Sequence, residues 1–165
     1  MRSFLILICL SLYSCSEPEQ VPFAIPLDAT SLLTGDSTKA WKIAKRFNGA
    51  HRMNMGACFL SHRQLYSIDE TMRDNSGQNP NCGPTLNASW KFVLADNGHS
   101  YLKLSSPQLP ILMNIEETYK FFKILELSET SLILQYQHQQ FNKKRTITDH
   151  YVPEHIKVPD RDFHL

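Results

Sequence analysis

Ser89-Trp90-Lys91-Phe92-Val93-Leu94-Ala95-Asp96-Asn97-Gly98-His99-Ser100-Tyr101-Leu102-Lys103-Leu104 reads as two strands joined by a tight turn. Trp90, Phe92 and Leu94 recur at every second position, the spacing that places side chains on one face of a strand. Asp96-Asn97-Gly98 supplies residues that tolerate the backbone of a hairpin turn, and Leu102 and Leu104 continue the apolar face on the return strand.

The same pattern extends in both directions. Thr38 to Phe47 places Trp41 and Ile43 opposite Lys42 and Ala44. Ala57 to Ile68 reads as a strand with Thr71 to Asp74 as its partner, followed by a loop of turn formers from Asn75 to Pro84. Thr118 to Leu127 and Ser131 to Gln137 form a further pair around Ser128-Glu129-Thr130. Lys144 to Val152 sets Ile147 and Tyr151 against Thr146, Thr148 and His150. Leu32 to Ser37 opens the unit as a short helical turn or loop, and Gln108 to Ile115, an apolar stretch around which Pro107 and Pro110 break the chain, folds back onto it as a loop. About eight short strands without a long amphipathic helix or an internal repeat predict an all-β fold. The expected form is an eight-stranded antiparallel up-and-down barrel with a short N-terminal helical turn.

The chain has 165 residues, the size of one ordinary domain. Its 17 Lys+Arg against 16 Asp+Glu leave a formal charge of +1, with no basic face for a nucleic acid, so none is expected as partner. Residues 1–14 read as a secretion signal: Arg2 precedes an apolar run, Phe4 to Leu12, too short to cross a bilayer. Residues 15–31 are expected to form a flexible tether, 32–153 the barrel, and 154–165 a frayed tail.

Cysteine use follows from this division. Cys9 falls in the signal, and Cys58 and Cys82 are expected to pair in an exported domain. Metal ligation and a reactive thiol are the competing readings, but neither cysteine belongs to a Cys-x-x-Cys pair. Leu12-Tyr13-Ser14-Cys15 resembles the lipobox of bacterial lipoproteins. The resemblance implies cleavage before Cys15 and acylation there, palmitate included, with a cell-envelope location at the outer membrane and the bilayer itself as partner. An ordinary secretion signal is the alternative.

Leu33-Thr34-Gly35, Ala40-Trp41-Lys42-Ile43, the Cys58 and Cys82 pair, Ser89-Trp90-Lys91-Phe92, Phe122-Lys123-Ile124-Leu125-Glu126-Leu127 and Ser131-Leu132-Ile133-Leu134 together resemble the lipocalin-like domain lipoproteins of Gram-negative bacteria. The chain departs from that family's pattern at Ala88-Ser89, where glycine often precedes the tryptophan, and at Phe59 to His62, where acidic residues are usual. The resemblance implies a barrel whose floor is plugged by Trp41, with an arginine packed across it, for which Arg145 is the candidate.

The sequence offers no recognisable catalytic chemistry. Seven histidines are scattered without a metal-binding spacing, and no nucleophile motif or glycine-rich phosphate loop occurs. No catalytic residue, metal or cofactor is therefore assigned. His138 and His150 are candidates to face one another on adjacent strands, and His62, His99 or His138 would need a carboxylate in a cleft to suggest an enzyme. Binding is the function that is left. Trp90, Phe92, Leu102, Tyr119, Phe121, Leu134 and Tyr136 are candidate inward residues, either plain core or the lining of a pocket for a small hydrophobic ligand. The rival to ligand binding is a filled barrel that docks on another envelope protein.

Cys15→Ala is expected to move the protein from the membrane fraction to the soluble fraction of lysed cells. Unchanged partitioning would remove the lipobox reading.

Overall fold

The computed structural model describes residues 21–140 and 143–164, so the signal and Cys15 lie outside the described residues. The strands are β1 (Thr38–Asn48), β2 (His51–Arg52), β3 (Arg63–Ser67), β4 (Thr71–Asp74), β5 (Asn87–Leu94), β6 (Ser100–Ser105), β7 (Tyr119–Leu127), β8 (Leu132–Gln140) and β9 (Lys143–Pro153). Each of the strands from β3 to β9 pairs antiparallel with the next, β3 also pairs with β1, and β1 pairs with β9. That last pairing closes an eight-stranded up-and-down barrel, with two-residue β2 as a spur on β1. Closure leaves one face of every strand inside, and it covers most of the edges that an open sheet would expose.

Alternation accounts for the core. Trp41, Ile43, Tyr66, Met72, Trp90, Leu102, Leu104, Phe122, Ile124, Leu132, Leu134 and Tyr151 are buried in one cluster. Two bulges interrupt the period, between Ile43 and Lys45 on β1 and between Ile124 and Glu126 on β7. Each adds a residue to its strand and shifts the inward set by one, so Arg46 and Leu127 turn inward instead of Lys45 and Glu126.

One end of the barrel is shut. The helix α1 (Ala29–Thr34) lies across it, with Ala29 and Leu33 buried. Helix ends leave carbonyls without partners, and here side chains from β1 supply them. The Trp41 indole donates to the Leu33 carbonyl at 2.8 Å, and Lys39 Nζ donates to the Leu32 carbonyl at 2.9 Å and the Glu129 carbonyl at 2.8 Å. Gly35, at φ +62°, ends the helix in a conformation that disfavours a side chain. Trp41 is buried beside α1, and its cationic neighbour is Lys39, whose Nζ sits 4.2 Å from the ring centroid. Arg145 is not that neighbour. It is exposed and lies opposite His138, eight residues along β9 from Pro153, the position that pairs with Trp41. At the strand rise, that is about 26 Å away.

Both flanks are more ordered than the sequence suggested. Phe23 and Ile25 pack on the core and the Phe23 carbonyl accepts from Ser100 Oγ at 2.6 Å, so residues 23–31 belong to the barrel, not to a tether. The tail after Pro153 runs back along β1. β3 pairs with β1 only as far as Lys42, and just beyond it Arg161 Nε donates to the Ile43 carbonyl at 2.8 Å. Met55 N–H then donates to the Asp162 carbonyl at 3.1 Å.

The other end carries the long connections. The first half of the segment read as a strand is instead the short helix α2 (Ala57–Ser61). Cys58, on α2, is disulfide-bonded to Cys82 in the loop before β5. A third helix, α3 (Leu109–Met113), dips its buried Leu109 into the barrel mouth, with Leu112, Met113 and Ile115 packed behind it.

The disulfide closes a separation of 24 residues between two surface loops. Replacing both cysteines by serine is expected to lower the unfolding free energy by about 3 kcal/mol in urea titration, on the loop-entropy scale. The circular dichroism of the folded sheet should not change.

Candidate functional site

The upper half of the barrel interior is polar. Arg46 and Asp149 are directly opposite each other on β1 and β9. Arg46 Nε donates to Asp149 Oδ1 and Nη2 to Oδ2, both at 2.6 Å, in a two-pronged ion pair. Arg46 Nη2 also donates to the Tyr136 hydroxyl at 2.9 Å, and the Tyr136 and Tyr151 hydroxyls approach Asp149 Oδ2 at 3.2 and 3.3 Å. The Arg46 guanidinium lies 4.1 Å from the Phe59 ring centroid. Asp149 is 0% exposed and Arg46 13%.

The electrostatics follow from this packing. Burial disfavours the Arg46 cation, but the hydrogen bond and charge of Asp149 outweigh it and hold the guanidinium's pKa above its usual value. Burial and then the Asp149 charge push Tyr136 and Tyr151 up. Burial alone does the same to Tyr66, whose hydroxyl donates to Gln64 Oε1 at 3.0 Å. The cluster is therefore a closed set of satisfied groups that hold the barrel seam together. None of its members is a free acid or base.

A second feature lies one strand pairing away from this seam. β7 and β8 pair from Leu127↔Leu132 to Lys123↔Gln135 and no further. Above that point, Tyr119 to Phe122 remains paired with β6 and Tyr136 to Gln140 with β9. The wall splits there into a cleft of about 980 Å³. Its inner side carries Lys120, Tyr136 and His138; its outer lip carries Tyr101, Tyr119, Phe121 and Gln137, and the chain after α3 borders it from Asn114 to Glu117. Asn114, at φ +50°, turns the chain out of α3 toward this border.

Lys120 is half-buried. Its Nζ lies 4.9 Å from the Tyr136 ring centroid and 5.8 Å from that of Phe122, and burial draws its pKa below the usual value. Burial, then the charges of Lys120 and Arg46, lowers His138 in the same way.

The sequence candidates divide between core and cleft. Trp90, Leu102 and Leu134 are buried in the packed closed half, with Phe92 against Trp90. Tyr136 reaches the cleft from inside. Tyr119 and Phe121 do not point inward as expected: they are 41% and 40% exposed, on the outer lip. β7 is apolar on both faces, so its alternation admits either phase. The structure turns Lys120, Phe122 and Ile124 inward. His138 is opposite Arg145 and His150 opposite Ile133, so the two histidines do not face each other. His62 contacts Ser76 Oγ at 3.4 Å near α2, and His99 contacts Lys123 Nζ at 3.3 Å at the β5–β6 turn. Neither joins His138 at the cleft. Among the described residues, no group of three or more His, Cys, Asp or Glu is placed to hold a metal ion.

Asp149→Ala leaves Arg46 buried without its anion and is expected to cost about 3–5 kcal/mol of stability in urea titration. The paired replacement Arg46→Met with Asp149→Leu removes both charges and should recover most of that loss. An equal loss in the single and double variants would show that the pair itself is not the source.

No family model matches the chain, and no curated protein is similar to it in sequence. Among solved structures, the chain is similar to a lipocalin-like protein from Bacteroides uniformis ATCC 8492, at 12% sequence identity with a TM-score of 0.45, over 73% of this chain and 97% of that one.

Proposed function

We propose that this protein is a non-enzymatic binding barrel that admits a small hydrophobic ligand at its open end, through the cleft between β7 and β8. The observation that carries this reading is the incomplete β7–β8 pairing above Lys123↔Gln135. Buried backbone groups in a sheet normally find partners on both sides, and here a continuous wall gives way to an opening lined by Tyr119, Phe121 and Tyr136. The opening falls at the upper end of the volume range typical of small-molecule sites. The closed half, filled by Trp41, Tyr66 and their neighbours, supplies the rigid base.

The lipobox-like Leu12 to Cys15 supports tethering through acylated Cys15 to the outer membrane of a cell envelope. Among the described residues, no helix is long and apolar enough to cross a membrane.

One observation favours the rival reading, a docking subunit for another envelope protein. Exposed Tyr119 and Phe121 and half-buried Tyr101 form an aromatic set on the outer wall, with centroid distances to Phe121 of 5.6 and 5.9 Å, and Lys103 Nζ lies 4.4 Å from the Tyr119 centroid.

N-phenyl-1-naphthylamine, a neutral fluorescent probe, is expected to bind saturably to the purified protein. Phe121→Ala, on the exposed lip, should weaken it by about three- to tenfold, the scale of one aromatic contact. No saturable binding, together with a stoichiometric protein partner in native mass spectrometry of envelope extracts, would favour docking instead.

A further inference from the structure

We propose that the cleft selects ligands bearing a single negative charge on an otherwise apolar body, with the ammonium of Lys120 as the seat of the anionic group and His138 beside it. This rests on the binding function proposed above and adds the chemical class of the ligand.

The charges inside the open half do not all find partners. Among the described residues, four charged side chains face this interior: Arg46, Asp149, Asp74 and Lys120. Arg46 and Asp149 neutralise each other at 2.6 Å. Asp74 Oδ1 accepts from the Ser76 and Leu86 N–H groups at 2.9 and 3.2 Å, so it serves the β4–β5 loop. Lys120 is left over. Among the described residues, no carboxylate lies within 4.0 Å of its Nζ and no acceptor hydrogen-bonds to it. Burial acts on its ionisation without an opposing carboxylate. The Tyr136 and Phe122 rings recover part of the lost hydration through their negative faces.

Position makes this cation useful. Lys120 faces the barrel interior in phase with Phe122 and Ile124, at the level where β7 loses its pairing with β8. An anion entering the cleft meets Lys120 together with the His138 ring, while Tyr136 and Ile115 offer apolar surface for the rest of the molecule. The other lysines of the cleft are placed differently: Lys123 contacts His99 and Lys144 is exposed on the rim. Glu116 and Glu117 are also on the rim, exposed to water. A charge-assisted hydrogen bond to a half-buried ammonium is stronger than one to a fully hydrated lysine, because less water competes for it.

The test uses the full-length protein with N-phenyl-1-naphthylamine bound, displaced by dodecanoate or by 1-dodecanol, which have the same chain and differ in charge. Dodecanoate is expected to compete at about tenfold lower concentration than dodecanol. Lys120→Met, which keeps the apolar stem, should erase that advantage and leave dodecanol unchanged; Lys120→Arg should retain it. Equal competition by the two compounds in the unaltered protein overturns the charge selectivity and leaves hydrophobic binding standing. So does a Lys120→Met variant that weakens both compounds alike. Failure of the probe to bind at all overturns the binding function and this inference with it.

Discussion

The barrel closes where Arg46 meets Asp149. β1 and β9 are the first and last strands, and any chain of antiparallel hairpins could stop short of joining them. Here the ladder from Trp41↔Pro153 to Asn48↔Ile147 is reinforced from inside by the two-pronged ion pair. Buried ion pairs gain little net stability over apolar packing, because both charges lose their hydration. What this one supplies is register. A one-residue slip between β1 and β9 would leave the Asp149 carboxylate in the core without its guanidinium. The bulge at Ala44 belongs to the same arrangement, because without the extra residue Lys45 would face inward in place of Arg46.

The closed and open halves are thereby given different chemistry by one set of strands. Below the ion pair, β1 contributes Trp41 and Ile43, β8 Leu132 and Leu134, and β7 Ile124, and the interior is filled. At its level and above, the same strands contribute Arg46, Tyr136, His138 and Lys120, which are too polar to be stacked against one another in a dry core. The neighbouring wall opens at the same height. The split between β7 and β8 sits where inward side chains change from aliphatic to charged or hydrogen-bonding.

Much of this was legible from alternation alone. Trp90, Phe92, Leu102, Leu104, Ile147 and Tyr151 obey the period of two, and the strands that carry them appear where the sequence suggested. β7 was not legible in phase, since Tyr119, Phe121 and Leu125 make one face as apolar as Phe122 and Ile124 make the other. The short helix at Ala57–Ser61 was hidden for a different reason: five residues are too few to show a stripe, and its place is set by the disulfide and the loop around it. The polar cluster left a trace that alternation could have revealed. Asp149 is in step with Ile147 and Tyr151, and Lys120 with Phe122 and Ile124, so each is a charge at a core position. The partner of Asp149 was out of reach, because Arg46 lies 103 residues away and becomes inward only through a bulge.

The rim of the open end is tied unevenly. On one side, the Cys58–Cys82 bond fastens α2 to the loop before β5. On the other, the upper part of β8 and β9 forms a ribbon whose paired residues Gln137↔Thr146 to Gln140↔Lys143 have strand partners only in each other. A two-stranded ribbon without a third strand resists bending weakly. The mechanical compliance of the mouth is therefore concentrated in one hinge, at the level of Tyr136 and Ile147, where β9 leaves β1. Under the binding function proposed above, a bulkier guest would be accommodated by flexing that ribbon outward while the stapled rim and the filled base keep their shape. Size discrimination would then be graded by the stiffness of a single hairpin, separately from any chemical selectivity inside.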